Sequence, residues 1–117
     1  MAKSLLLICR QPGGTAAREA LDIALAGGAF ELPIALLFMD DGVFQLPADQ
    51  QPAVLEQKDL NANLQALPLF GVDELYVCQE SLARRGLAEA TLNLPVTALH
   101  GEELPALLAR FDLVVTL

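Results

Sequence analysis

Cys78 is placed where a thiol could be chemically active. It ends the apolar run Leu75–Cys78, which reads as a strand, and a short helical turn with Ser81 as its N-cap follows. Backbone N–H groups and the positive end of a helix dipole stabilise a thiolate, and Arg84 and Arg85 could add positive potential. Such a cysteine could carry a persulfide and pass its outer sulfur to another thiolate. The plainer alternative is a small apolar residue that fills the end of a strand.

Two other residues could take part in thiol chemistry. Cys9 lies inside an apolar run at the end of the first predicted strand, so a core position is the favoured interpretation. If the strands that end at Cys9 and Cys78 were neighbours, the two thiols could approach closely enough for a disulfide. His100 is the only histidine and would have to serve any Cys–His hydrolase dyad with Cys78. No orienting acid or oxyanion loop accompanies it, so this reading is disfavoured.

Two polar segments are weaker candidates for binding sites. The loop Arg10–Thr15 contains adjacent glycines before a predicted helix, an arrangement that can cradle an anion. It lacks the Lys-Ser/Thr ending of a P-loop and the spacing of a dinucleotide fingerprint, which favours a tight turn over a flavodoxin-like ligand site. Asp40 and Asp41 are too few for a cation shell, and Gly42 after them indicates a turn. We expect no cofactor and no metal.

The elements that position these residues follow a βαβαβαβαβ order. Such an order predicts a single α/β domain over 1–117, a three-layer sandwich in which helices flank a five-stranded parallel sheet. In such sheets, sites lie at the carboxyl ends of the strands. The helix after the first strand is predicted to begin after Thr15 as N-cap and to end at Gly27-Gly28. The predicted strands are Ser4–Cys9, Pro33–Met39, Leu75–Cys78, Val96–Leu99 and Leu113–Thr116, and the later helices are Ala53–Leu67, Ser81–Gly86 and Glu102–Arg110.

The composition favours a protein that works in an assembly. Hydrophobic residues make up 54% of the chain and charged residues only 19%, against about 25% charged in typical domains. A small domain with so few charges must expose apolar surface, which usually marks an interface. The net charge of -8 argues against direct binding of nucleic acid. No apolar run is long enough to span a membrane, and two cysteines without a leader favour reduced thiols in the cytoplasm.

The segment after the second predicted strand carries apolar side chains in a predicted polar loop. Val43, Phe44 and Leu46 follow Asp40-Asp41-Gly42 closely. Burial of a large apolar side chain is favourable by about 1.5–3 kcal/mol relative to exposure. We therefore expect these three residues to contact a partner subunit. The alternative is that Phe44 folds back onto its own sheet.

Three segments resemble those of a known family, the TusC/DsrF branch of the DsrE/DsrF/DsrH sulfur-relay family. The most specific of them follows the second predicted strand. The final stretch 111–115 also fits, and the likeness covers nearly the whole chain. The three segments are Pro12-Gly13-Gly14-Thr15-Ala16-Ala17-Arg18-Glu19-Ala20-Leu21-Asp22, Asp41-Gly42-Val43-Phe44-Gln45-Leu46 and Tyr76-Val77-Cys78-Gln79-Glu80-Ser81-Leu82-Ala83-Arg84-Arg85-Gly86-Leu87.

The resemblance implies a partnership and a pathway. It implies assembly with a TusB-like and a TusD-like subunit into a dimer of heterotrimers. This complex would accept sulfur from a TusA-like carrier and pass it to a TusE-like protein, and the sulfur would end on the tRNA wobble uridine as 2-thiouridine. In sulfur-oxidising relatives, the equivalent complex serves dissimilatory sulfur metabolism.

The resemblance also bears on Cys78. This residue falls where the DsrE/TusD branch places its sulfur-carrying cysteine, whereas the TusC branch usually leaves the relay to the TusD-like partner. Cys9 has no counterpart in the family pattern. The chain is therefore expected to be mainly a structural and interaction subunit, not a free-standing enzyme. Direct carriage of persulfide by Cys78 is the alternative.

Overall fold

A parallel sheet of five strands forms the centre of the protein. The computed structural model describes residues 3–47 and 62–117. The sheet has the order β4-β3-β2-β1-β5, and all its pairings are parallel. The α/β prediction is therefore confirmed, with each strand within about a residue of its predicted bounds. The strands are β1 (Leu5–Cys9), β2 (Ile34–Phe38), β3 (Glu74–Cys78), β4 (Thr97–Leu99) and β5 (Leu113–Thr116).

The apolar runs form strands because both faces of the sheet are covered. Every residue of β2 is buried, as are the last four of β1. Alternate side chains of a strand point to opposite faces, so the core is divided into two clusters. Leu7, Leu36 and Val77 belong to the larger cluster, and Leu6 and Leu37 belong to the smaller.

Helices pack on both faces and complete the three layers. Helix α1 (Gly14–Ala29) contributes Ala17, Ala20, Leu21 and Ala24 to the larger cluster, as the helical periodicity predicts. Helix α2 (Gln79–Arg84) follows β3 directly. Helix α3 (Leu104–Ala109) places Leu107 in the smaller cluster. Three short 3-10 helices cover Asp40–Gln45, Leu67–Phe70 and Gly101–Glu103.

The predicted helix Ala53–Leu67 lies mostly outside the described residues. Residues 62–66 are helical, and they continue into the 3-10 helix Leu67–Phe70. None of the helices within 3–47 and 62–117 has the length and apolar character that a membrane span requires.

Both ends of α1 differ from the prediction. The helix begins at Gly14 after Gly13 as N-cap, so Thr15 lies within the first turn. It also continues through Gly27-Gly28, where the prediction ended it. Gly28 is needed inside the helix because a Cβ atom there would lie only 2.5 Å from the carbonyl oxygen of Phe70. These glycines therefore permit close packing of α1 on its neighbours and do not end the helix.

Candidate functional site

The candidate residues meet at the carboxyl edge of the sheet, as the topology of a parallel sheet predicts. Cys78 is the last residue of β3 and the N-cap of α2. In the sheet it is opposite Leu99, the residue before His100. Cys78 as a whole residue is only 5% exposed. The position matches the sequence prediction, and the residue is largely packed within its own chain.

Ser81 has a different role from the predicted one. Helix α2 begins at Gln79, so Ser81 lies inside the helix and is not its N-cap. Its buried hydroxyl oxygen accepts a hydrogen bond of 2.9 Å from the backbone N–H of Asp40. The bond matters because Asp40 has a positive φ of 51°, a conformation that is strained for a residue with a Cβ. Ser81 therefore joins the turn after Cys78 to the segment after β2.

Glu80 makes the corresponding connection to β4. One of its carboxylate oxygens, Oε2, accepts a hydrogen bond of 2.7 Å from the backbone N–H of Gly101. The hydrogen bond from Gly101 is the main cause of a lowered pKa for Glu80, and the charges of His100 and Arg84 contribute less. Glu80 was not among the predicted site residues. The signal for it in the sequence is a carboxylate two positions after a cysteine at a strand end.

The second oxygen of Glu80 is enclosed although the side chain as a whole is partly exposed. Among the described residues, Oε1 has no hydrogen-bond partner. The Nδ1 atom of His100 lies 3.8 Å from it. His100 is itself largely exposed and has no hydrogen bond to Cys78 within the described chain. His100 is therefore positioned beside Glu80, and a hydrogen-bonded Cys–His dyad does not form.

The two cysteines are separated by a strand and by the plane of the sheet. Strand β2 lies between β1 and β3, which places the outer strands roughly 9–10 Å apart. Cys9 belongs to the larger core cluster together with Val77, whereas strand alternation puts Cys78 on the opposite face with Tyr76. The possible disulfide is therefore excluded by geometry, since its Cα atoms must lie within about 7 Å. Both cysteines are free.

Burial raises the pKa of the Cys9 thiol from 9.0 to about 12. In the unfolded chain this thiol ionises near its ordinary pKa, whereas in the folded chain it stays protonated up to the raised value. The stability contributed by the protonated Cys9 thiol should therefore be fully present below about pH 9. Between about pH 9 and pH 12 the free energy of unfolding should fall by about 1.4 kcal/mol per pH unit. Denaturant titrations over this range, compared between the wild type and Cys9→Ala, measure the effect. Equal pH slopes for the two proteins would contradict it.

The segment Asp41–Leu46 forms part of the chain's own core. It lies in and just after the 3-10 helix Asp40–Gln45, where the sequence predicted a loop. Val43 and Leu46 are completely buried, so their predicted role as partner contacts is wrong: the short helix turns both side chains inward. Phe44 is 39% exposed and stays a candidate contact.

Two further contacts fix this segment over the end of β1. The buried side-chain amide of Gln45 donates a hydrogen bond of 2.7 Å to the carbonyl oxygen of Gln11. Gly42 lies so close to the carbonyl oxygen of Cys9 that a Cβ atom could not fit. The most specific part of the sequence pattern is thus explained by packing against β1.

The acidic pair after β2 is neutralised by arginines. Arg10 Nε lies 2.6 Å from an oxygen of Asp40, and Arg85 Nε lies 2.9 Å from an oxygen of Asp41. Arg85 also donates to the carbonyl oxygen of Ser81. Exposed pairs such as these contribute about 0–1 kcal/mol each. These ion pairs occupy both guanidinium groups. The sequence had suggested instead that the loop beginning at Arg10 could bind an anion and that Arg85 could add positive potential near the Cys78 thiol.

Apolar side chains form two exposed surfaces away from this edge. Phe30 and Leu69 are the most exposed, at 80% and 88%. Leu69 lines a cavity of about 590 Å³ together with Leu32 and Phe70. The second surface is β5, all of whose residues are exposed. These surfaces agree with the composition, which required apolar side chains at the surface.

Comparison with known proteins gives the same family as the sequence motifs. The DsrE/DsrF-like family model matches residues 2–117. A protein of Pseudomonas aeruginosa called "Protein TusC homolog" is 61% identical over a 119-residue alignment that covers 100% of both chains. A protein of the same description from Vibrio parahaemolyticus is 38% identical over 104 residues, 88% of each chain.

A solved structure supports the fold. The crystal structure of the ychN protein from E. coli superposes with a TM-score of 0.79 and covers 100% of both chains, at 23% identity. This likeness concerns the fold alone. Taken with the family model, which spans nearly every residue, and the full-length relative, it confirms the resemblance found in the motifs: the chain belongs to the DsrE/DsrF-like family.

Proposed function

We propose that this protein is a structural and interaction subunit of a cytoplasmic sulfur-relay complex that supplies sulfur for 2-thiolation of the tRNA wobble uridine. Its partners are a TusB-like and a TusD-like subunit in a dimer of heterotrimers. A TusA-like protein donates sulfur to the complex, and a TusE-like protein accepts it. Family membership and the relatives described as TusC homologs support this role.

The burial of Cys78 is the observation that favours a structural and interaction role over a sulfur-carrying role. A sulfur carrier must present its thiol to a donor and then to an acceptor, because exchange requires direct attack by one thiolate on another sulfur. Cys78 as a residue is only 5% exposed, which leaves little surface for such an attack. Meanwhile the chain exposes large apolar side chains, which a subunit can bury against partners.

Direct carriage of persulfide by Cys78 is the second candidate. The observation in its favour is the position of the thiol at the carboxyl end of β3, beside the segment Asp40–Gln45 and the start of α2. A change of conformation on assembly would be needed to expose it. With either role for Cys78, the complex could serve sulfur oxidation in place of tRNA thiolation, and only the end product would differ.

A thiolation assay separates the two candidates. In a strain that lacks this chain, we expect plasmid-borne wild type, Cys78→Ser and Cys78→Ala all to restore 2-thiouridine in tRNA, with the variants at half or more of the wild-type level. Mass spectrometry of tRNA nucleosides measures the product. The empty plasmid is the control for dependence on the chain.

Two measurements on the assembled complex show whether the Cys78 variants still assemble and which chain carries sulfur. Co-purification with the two sister subunits must be unchanged in the Cys78 variants. The complex is then loaded with radioactive sulfur, and the label is located chain by chain under non-reducing conditions. Label on this chain that disappears in Cys78→Ser, together with lost thiolation in an intact complex, would establish the carrier role and reject the supporting one.

A further inference from the structure

The two edges of the sheet are built differently. Strand β4 is only three residues long, and Pro95 precedes it closely. Short edge strands and nearby proline are common means of preventing sheet edges from pairing. Strand β5 has neither protection: the stretch 113–117 contains no charged side chain and no proline, and its register with β1 is continuous. An open, uncharged, apolar edge of this kind is a template for another strand.

The hydrogen bonds of β5 show which backbone groups face outward. The N–H groups of Leu113 and Leu117 donate to β1, at 3.0 and 2.9 Å. Because successive residues of a strand alternate in direction, Val114 and Thr116 turn their N–H and C=O groups to the open edge. Within the described ranges no strand pairs with this edge, since β5 ends the sheet. Four backbone groups of β5 therefore face an edge that no other strand of the described residues occupies.

We infer that β5 is a homodimerisation edge, at which two copies of this chain pair antiparallel about a twofold axis through Val115. In this register Val114 of one copy is opposite Thr116 of the other, and each such pair exchanges two hydrogen bonds. The two symmetric pairs engage all four outward groups of each strand. A twofold contact of this kind is the commonest form of association between identical chains.

The side chains fit the same register. Leu113 would be opposite Leu117 of the second copy, and the Val115 residues of the two copies would be opposite each other. Every cross-strand pair is then apolar or β-branched, the kind that stabilises antiparallel sheets. A register centred on Val114 would instead place Thr116 opposite Asp112, whose N–H already donates to Ser4. Of these two registers, only the one centred on Val115 pairs both outward residues without placing a charged side chain in the ladder.

The proposal is tested on the full chain by itself and does not depend on the sulfur-relay function. Sedimentation equilibrium should show a concentration-dependent dimer. Added salt should strengthen the dimer, because each copy carries a net charge of -8. We expect Val115→Lys to raise the dimer Kd by at least about tenfold, since it places like charges directly opposite each other in a desolvated pair. Net charge cannot explain such a loss, because the lysine reduces the overall repulsion.

Charge pairing makes the test specific to the proposed axis. At a concentration near the wild-type dimer Kd, Val115→Lys and Val115→Glu should each be mainly monomeric. An equimolar mixture of the two should form a one-to-one heterodimer by native mass spectrometry. Thr97→Lys, on the exposed β4 edge, is the matched control and should dimerise as the wild type does. Thermal unfolding of each variant confirms that the fold is kept. A monomeric wild type, unaffected Val115 variants, or a mixture that stays monomeric would each overturn the proposal, as would an edge occupied only by a sister subunit.

Discussion

Gly42→Ala is expected to lower the free energy of unfolding by about 3 kcal/mol, the upper part of the range for overpacked sites. The added methyl group would overlap the carbonyl oxygen of Cys9, and the nearest atoms belong to backbone, which cannot rotate away as a side chain can. The 3-10 helix Asp40–Gln45 would have to move off the end of β1. We expect the melting temperature to fall by roughly 10 °C for a domain of this size.

A second glycine provides the control for this prediction. Gly13 has no atom within 4 Å of the position that a Cβ would take, and its φ of 176° is extended backbone. Gly13→Ala should therefore change the free energy of unfolding by less than about 1 kcal/mol, as expected for a substitution at a helix N-cap. Urea titration by circular dichroism measures both variants. If Gly42→Ala were as stable as Gly13→Ala, the close contact with β1 would not constrain the fold.

Phe38→Ala should cost about 3–5 kcal/mol of stability, the range for deletion of a buried aromatic ring. Phe38 is completely buried at the end of β2, where it is flanked in the sheet by Cys9 on one side and Val77 on the other. Its removal would leave a cavity on the face of the sheet that carries Cys9, close to the ends of the strands. We therefore expect thiol-specific alkylation of Cys78 in the native protein to become faster, because local opening of the strand ends becomes easier.

The same substitution at the surface isolates the effect of burial. Phe30 is 80% exposed, so Phe30→Ala should alter the free energy of unfolding by no more than about 0.5 kcal/mol. Denaturant titrations of the two variants, with equal m-values, make the comparison direct. A cost below about 1 kcal/mol for Phe38→Ala would mean that the strand ends can close over the missing ring.

These predictions describe one structural unit at the carboxyl edge of the sheet. Ser81 connects the turn after β3 to Asp40, and Glu80 connects the same turn to Gly101. Gly42 packs the segment after β2 against the end of β1. The backbone around Cys78 is consequently fixed from both neighbouring strands.

The sequence by itself was sufficient for the strands, the fold class and the family. Buried parallel strands read as unbroken apolar runs because both of their faces are covered, and their alternation with helical segments predicts a parallel sheet. Three segments, of which Asp41–Leu46 is the most specific, identified the family, and the carboxyl-edge rule located Cys78 at the end of β3. These are local signals, or general rules applied to local signals.

Only the tertiary structure decided which residues share a face and which are covered. Strand order inserts β2 between the strands of Cys9 and Cys78, and strand alternation sends the two thiols to opposite faces. The short helix after β2 buries Val43 and Leu46, although their apolar character alone suited a partner equally well. Burial and pairing are set by contacts between segments that are distant in the chain, whereas sequence patterns record mainly the preferences of neighbouring residues.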